Sequence, residues 1–290
     1  MTDREGPGQD DNQRYQASEL AHTTNLDDFS PKRVAERVEH FGIAKTRSRW
    51  SQSFTLGALA GGFVALGGLF FTFATIDDSV WNYLAGGVVL ATGYIIAILV
   101  GAEVFTSNNL LIMAWVARKL TTRNVLGNWG IVLCANALGA LVLSALFLIS
   151  GLPEAHQAAV GERAVELAAE KSARPALEAF ALGILGNLFV CLAVWVALAG
   201  RTVTDKIVGT VLPLSAIGAM DLDHVVAILY FIPRGLLVEL FLPHLAEGAE
   251  TISLTGGVVN LGAVIAGNII GGSLVVALSY HLIYKRPAEE

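Results

Sequence analysis

The chain has 290 residues, 54% apolar and only 15% charged, with a formal net charge of −6. That apolar share exceeds what one soluble core of this length needs, which excludes an ordinary water-soluble domain and calls for a lipid bilayer as partner. Much of the acid lies in the first 29 residues and in two connecting segments rather than on one patch, so no nucleic-acid binding is read from it.

Residues 1–29 are polar, carry no apolar stretch ahead of a cleavage site, and read as a disordered tail, not a signal peptide. Over 30–50, Val34, Val38 and Phe41 share one helical face among basic residues. This predicts a short amphipathic helix on the inner leaflet, with a plain soluble helix as the alternative. Four stretches long enough to cross about 30 Å of hydrocarbon follow. They are 53–76, 130–152, 179–200 and 252–284, all free of Asp, Glu, Lys and Arg. Two more, 79–117 and 207–233, are apolar but interrupted, by Gly101-Ala102-Glu103 and by the run from Gly218 to His224.

Loop charge settles the count, because Lys and Arg collect on the cytoplasmic side. Lys32, Arg33, Arg37, Lys45, Arg47 and Arg49 precede span one, Asp77 and Asp78 follow it, and Arg118, Lys119 and Arg123 follow span two. The alternation continues through the Glu-rich connection 152–177, then Arg201 and Lys206, then Glu239, Glu247 and Glu250, and ends at Lys285 and Arg286. Six crossings fit. They make 51–286 a multi-pass domain of the inner (plasma) membrane, with both termini, including the tail 287–290, in the cytoplasm.

The chain also repeats itself. The segment Leu56–Leu66 matches Leu182–Leu192 at six of eleven positions, both broken spans are interrupted at Gly-Ala, and spans three and six carry Asn136-Ala-Leu-Gly139 and Asn268-Ile-Ile-Gly271. Three spans per half is an odd number, so the second half enters from the opposite side. The fold class is therefore all-α: six transmembrane helices in two inverted three-helix repeats, aquaporin-like, with spans two and five broken. Small residues four apart, Gly57 and Gly61, Ala135 and Gly139, Gly267 and Gly271, are read as helix contacts. Cys134 and Cys191 sit inside apolar runs, so neither a disulfide nor a metal site is read from them, and no cofactor is expected.

Polar and titratable groups at membrane depth usually face a cavity and serve it. They cluster in the two breaks: Glu103 and Thr106 in one, Asp221, Asp223 and His224 in the other. Broken backbone at this depth must line a cavity or be buried in protein, so the matched breaks mark a shared path at the midplane. His224 is read as functional rather than as a bonded core histidine. Glu103 and Asp223 are expected to cap the half-helices that restart after each break, accepting their free N–H groups. Thr106 is open between a cap and a hydroxyl offered to a solute.

Together, Gly101-Ala-Glu-Val-Phe-Thr-Ser107, Gly186-Asn187, Asp223-His224, Ile232-Pro233 and Gly267-Asn268-Ile-Ile-Gly-Gly272 resemble the formate/nitrite transporter family over roughly 31–284. The resemblance implies homopentamers with one pore per protomer, carrying formate, nitrite, hydrosulfide or related small monovalent anions. It implies a substrate path of His224, Thr106, the vestibule lysine Lys171 and Asn187, with apolar constrictions near Leu90, Val104, Phe105, Val190 and Ile217. Leu90 and Ile217 stand where relatives often have Phe, Ile228 where Asn usually follows the histidine, and Asp221 where Gly is frequent.

The topology places Lys171 outside, where it would concentrate anions. In the apolar slit an anion loses water and its proton affinity rises, so His224 would supply or share a proton and the neutral acid would cross. Protons are thus partners alongside the anion. A neutral-solute channel of aquaporin type is the alternative, although neither break has Asn-Pro-Ala. An intramembrane enzyme is disfavoured: Asp221 and Asp223, two residues apart, do not share a helix face, and no nucleophile or metal signature accompanies them.

Overall fold

A computed structural model of the chain describes residues 29–284; most of the polar tail, together with Lys285, Arg286 and the end of the chain, lies outside them. Eleven helices are numbered here: α1 (Pro31–Arg47), α2 (Trp50–Ala74), α3 (Val80–Leu99), α4 (Ile112–Val116), α5 (Thr122–Ile149), α6 (Ala159–Ala173), α7 (Ala176–Ala199), α8 (Val203–Ala219), α9 (Val225–Phe241), α10 (Leu254–Ile269) and α11 (Ser279–Tyr284). A 3-10 turn, Ser107–Leu111, leads into α4, and a π-helical stretch, Ile270–Leu278, joins α10 to α11 without interruption. Among the described residues there is no strand.

Polar side chains start four of these helices. Ser79 accepts from the Asn82 N–H, Thr121 forms a capping box with Asn124, Thr202 another with Asp205, and Ser253 accepts from the Gly256 N–H. Each satisfies a donor that the first helical turn leaves open. Five of the continuous helical segments are long and apolar enough to cross a membrane: α2, α3, α5, α7 and the run Leu254–Tyr284. The remaining crossing is shared by α8 and α9, each 17 residues long, and the break between them mirrors the one after α3.

The inverted repeat governs packing. α2 packs on α5 as α7 packs on α10, and α3 crosses α8 at the centre. Without a hydrophobic force between helices in lipid, close approach is what favours such pairs. A Cβ on Gly61 would fall 2.1 Å from the Asn136 carbonyl oxygen, and one on Gly267 would fall 2.2 Å from that of Phe180. At the central crossing a Cβ on Gly87 would meet the Ser215 carbonyl oxygen at 2.2 Å.

Two segments show more than the sequence reading gave. The Glu-rich connection 152–177 contains the helix α6, whose Val160, Ala164 and Ala168 are buried, with α6 packed on α9. The helix α1 buries Val34, Ala35 and Val38 against the Ser107–Leu111 turn, α4 and α7. Phe41 remains 38% exposed, while Lys45 is buried instead.

Candidate functional site

Both broken segments end their first helix in the same way. After α3, the Ala102 N–H reaches back to the Ala97 carbonyl at 2.9 Å with Gly101 at φ 73°; after α8, the Leu222 N–H reaches the Ile217 carbonyl at 2.8 Å with Asp221 at φ 48°. This six-to-one bond with a left-handed residue is the usual helix stop, and it favours glycine. Both segments restart under an asparagine from another span. Asn136 Oδ1 accepts from the Phe105 N–H at 2.8 Å while its Nδ2 donates to the carbonyls of Gly57 and Glu103. Asn268 Oδ1 accepts from the Val225 N–H at 2.9 Å while its Nδ2 donates to the carbonyls of Gly183 and Asp223.

The carboxylates therefore do not cap, contrary to expectation: neither restart carries a side-chain cap of its own. Glu103 Oε2 accepts from the Nδ2 groups of Asn108 and Asn128 at 2.9 and 3.1 Å. Asp223 Oδ1 accepts from Lys171 Nζ at 2.8 Å and Arg174 Nη1 at 2.7 Å. With the N–H groups already taken by asparagine, buried carboxylates are better matched by amides and cations.

Between the breaks, Thr106 Oγ1 lies 2.6 Å from His224 Nε2, both fully buried. Which of the two donates follows from the imidazole tautomer. The Tyr94 ring stands edge-on to the imidazole with centroids 4.9 Å apart. His224 Nδ1 and the Tyr94 hydroxyl have no hydrogen-bond partner among the described residues. Buried polar atoms without a partner are rare and costly.

A cavity lies on each side of this contact. The one toward α1, about 130 Å³, has Val104, Val190, Tyr94 and Lys45 in its wall. The one toward α6, about 20 Å³, has Leu90, Ile217, Lys171, Asp221, Asp223 and His224. Four of the five expected constriction residues thus flank the centre. Phe105 lines neither cavity, because its ring packs edge-on to Trp129 at 6.1 Å. Asn187 also lines neither: its Nδ2 is committed to the Asn268 carbonyl at 2.6 Å, bracing α7 against the last span.

The cations at the two ends were unequally visible in the sequence. Lys171, expected in the vestibule, sits in the last turn of α6 and is buried. Burial opposes its charge, but Asp221 and Asp223 outweigh that and raise its pKa; the same two carboxylates, against burial, raise that of Arg174. Lys45 was read only as a topology marker. It donates to Asn108 Oδ1, and burial, opposed by Glu103, lowers its pKa to about 8. The repeat held the signal: Lys45 stands eleven residues before Leu56, as Lys171 stands eleven before Leu182.

Residues 32–282 match the family model described as formate/nitrite transporter. The chain belongs to that family. The formate channel FocA of Escherichia coli (strain K12) is 31% identical over 269 residues, covering 88% of this chain and 94% of the relative. The formate channel FocA of Haemophilus influenzae is likewise 31% identical, over 89% of this chain and 95% of the relative. A solved pentameric formate channel with formate bound superimposes with a TM-score of 0.74 at 27% identity, over 82% of this chain and 98% of that one. Membership in the formate/nitrite transporter family makes the chain a membrane transporter, and the apolar helices and the two broken spans are the parts that fit that role.

Proposed function

We propose that this chain forms a homopentamer in the inner membrane, with both termini cytoplasmic, in which each protomer conducts a small monovalent anion. Formate is the first candidate, with nitrite and hydrosulfide as further ones. The observation that carries the reading is the buried Thr106–His224 contact between two apolar-walled cavities, one lined by Lys45 and Lys206 and the other by Lys171. Lys45 and Lys171 draw the anion to either mouth. Past Leu90 and Ile217, or past Val104 and Val190, the anion sheds water, which raises its proton affinity. His224, paired to Thr106, shares a proton with it there, and the neutral acid crosses. The relatives' names support formate as the solute, and a pentameric formate channel of the same fold supports the assembly.

Stopped-flow uptake of formate, nitrite, hydrosulfide, acetate and lactate into proteoliposomes over a range of pH tests this. His224→Ala is expected to lower formate flux by about tenfold or more and to flatten its dependence on pH. Unchanged, pH-dependent formate flux in that variant refutes the proton step, and a parent protein that carries none of the five refutes the transport reading itself.

A further inference from the structure

The two mouths are built on one repeat but hold their lysines differently. Toward α1, Lys45 donates to Asn108 and its ammonium sits 4.4 Å from the centre of the Phe41 ring, and glycine fills the left-handed position that ends α3. Toward α6, with the two helix stops matched bond for bond, Ile228 stands in the place of Asn108 and Asp221 in the place of Gly101. Asp221 keeps the left-handed φ although it carries a Cβ, a conformation that residues other than glycine seldom adopt.

That carboxylate takes over the cation. Lys171 Nζ donates to Asp221 Oδ1 at 2.7 Å, to the Asp221 carbonyl at 3.3 Å and to Asp223 Oδ1 at 2.8 Å, which uses all three N–H groups. Arg174 adds a second clamp, Nη2 to Asp221 Oδ2 at 2.6 Å and Nη1 to Asp223 Oδ1 at 2.7 Å. Asp223 is fully enclosed, whereas the Asp221 side chain is 26% exposed and lies on non-helical backbone. Of the two carboxylates, Asp221 is the one with room to leave.

We propose that Asp221 is a carboxylate latch on the α6-side mouth, competing with the transported anion for Lys171 and Arg174 and selecting anions that can replace it. The proposal rests on the reading of the chain as an anion channel. A planar anion with two oxygens, such as formate or nitrite, takes the places of Asp221 Oδ1 and Oδ2 between the ammonium and the guanidinium, so no buried cation is left unpaired in the exchange. Hydrosulfide has one acceptor atom and cannot bridge both cations. The latch therefore favours two-oxygen anions at this mouth and leaves the α1 mouth indifferent.

Asp221→Gly tests this, since glycine suits the φ and already serves at position 101. With vesicles of known protein orientation, the half-saturating formate concentration from the α6 side is expected to fall by about tenfold, with the change in half-saturation exceeding any change in maximal rate. Hydrosulfide flux is expected to gain more than formate flux, and half-saturation from the α1 side to stay put. Arg174→Gln, which removes a cation but leaves the latch on Lys171, is expected to shift half-saturation upward. An Asp221→Gly protein with parental or raised half-saturation from the α6 side overturns the latch. If the parent conducts no anion, the transport reading fails, and calorimetric titration of the purified proteins with formate then decides the latch: tighter binding by Asp221→Gly supports it, equal binding overturns it.

Discussion

Lys45 and Lys171 occupy equivalent places in the repeat, yet their charges answer differently to pH. Burial pulls Lys45 down to about 8 against the opposing effect of Glu103, whereas at Lys171 the two aspartates outweigh burial and push the pKa up. A lysine is charged below its pKa, so as pH rises through about 8 the α1 mouth loses the charge of Lys45 and is left with Lys206, while the α6 mouth keeps the charge of Lys171. Formate uptake from the α1 side at low concentration is therefore predicted to drop across that pH, with no matching drop from the α6 side. Lys45→Met should remove the step and leave low-concentration uptake from the α1 side about tenfold lower throughout; initial rates from each face, with saturating formate as the reference, check this. A step that survives in Lys45→Met would assign it to another group, His224 foremost.

Breaking a span inside lipid exposes backbone groups that only protein can satisfy, and in this chain the repair falls to Asn136 and Asn268. Each bridges three backbone groups on two segments, one N–H and two carbonyls. Asn136→Leu and Asn268→Leu keep the volume and delete the bonds, and each is predicted to destabilise the fold by roughly 3 kcal/mol. A lowered Tm of the detergent-solubilised protein is the readout, and an unchanged Tm would mean that the restarts hold without the amide. The breaks themselves were legible, because Gly101 and the polar run ending at His224 interrupt otherwise apolar stretches. Their repair was not: each asparagine reaches across 31 or 43 residues to its cap, and no local pattern announces such a pairing. The local rule instead pointed to Glu103 and Asp223, which lose to it because the restarts are already capped and these buried carboxylates draw amides and cations. Phe105 and Asn187 were placed on the path by resemblance alone; the packing of one on Trp129 and the bond of the other to Asn268 turn them away from the two cavities.

At the scale of the whole molecule, hydropathy and loop charge were enough for six crossings in two inverted halves, since both are sums over many residues and tolerate local error. The same averaging hid α6, whose moderately polar sequence reads as a connection although one face of it is buried on α9, and it hid Lys45 among the other cations before span one. The inverted repeat has a further consequence. Thr106, His224, and the lysines lining the two cavities lie within one chain, the arrangement expected of a path held inside each protomer. The proposed pentamer, about five times the 30.7 kDa of one chain by mass measurement in detergent, should then hold five independent paths. Co-expression of parent and His224→Ala chains in graded ratios tests it: formate flux is predicted to fall in simple proportion to the parental fraction. A fall much steeper than proportional would show that the subunits conduct as one unit, and a path formed between protomers would have to replace the one within them.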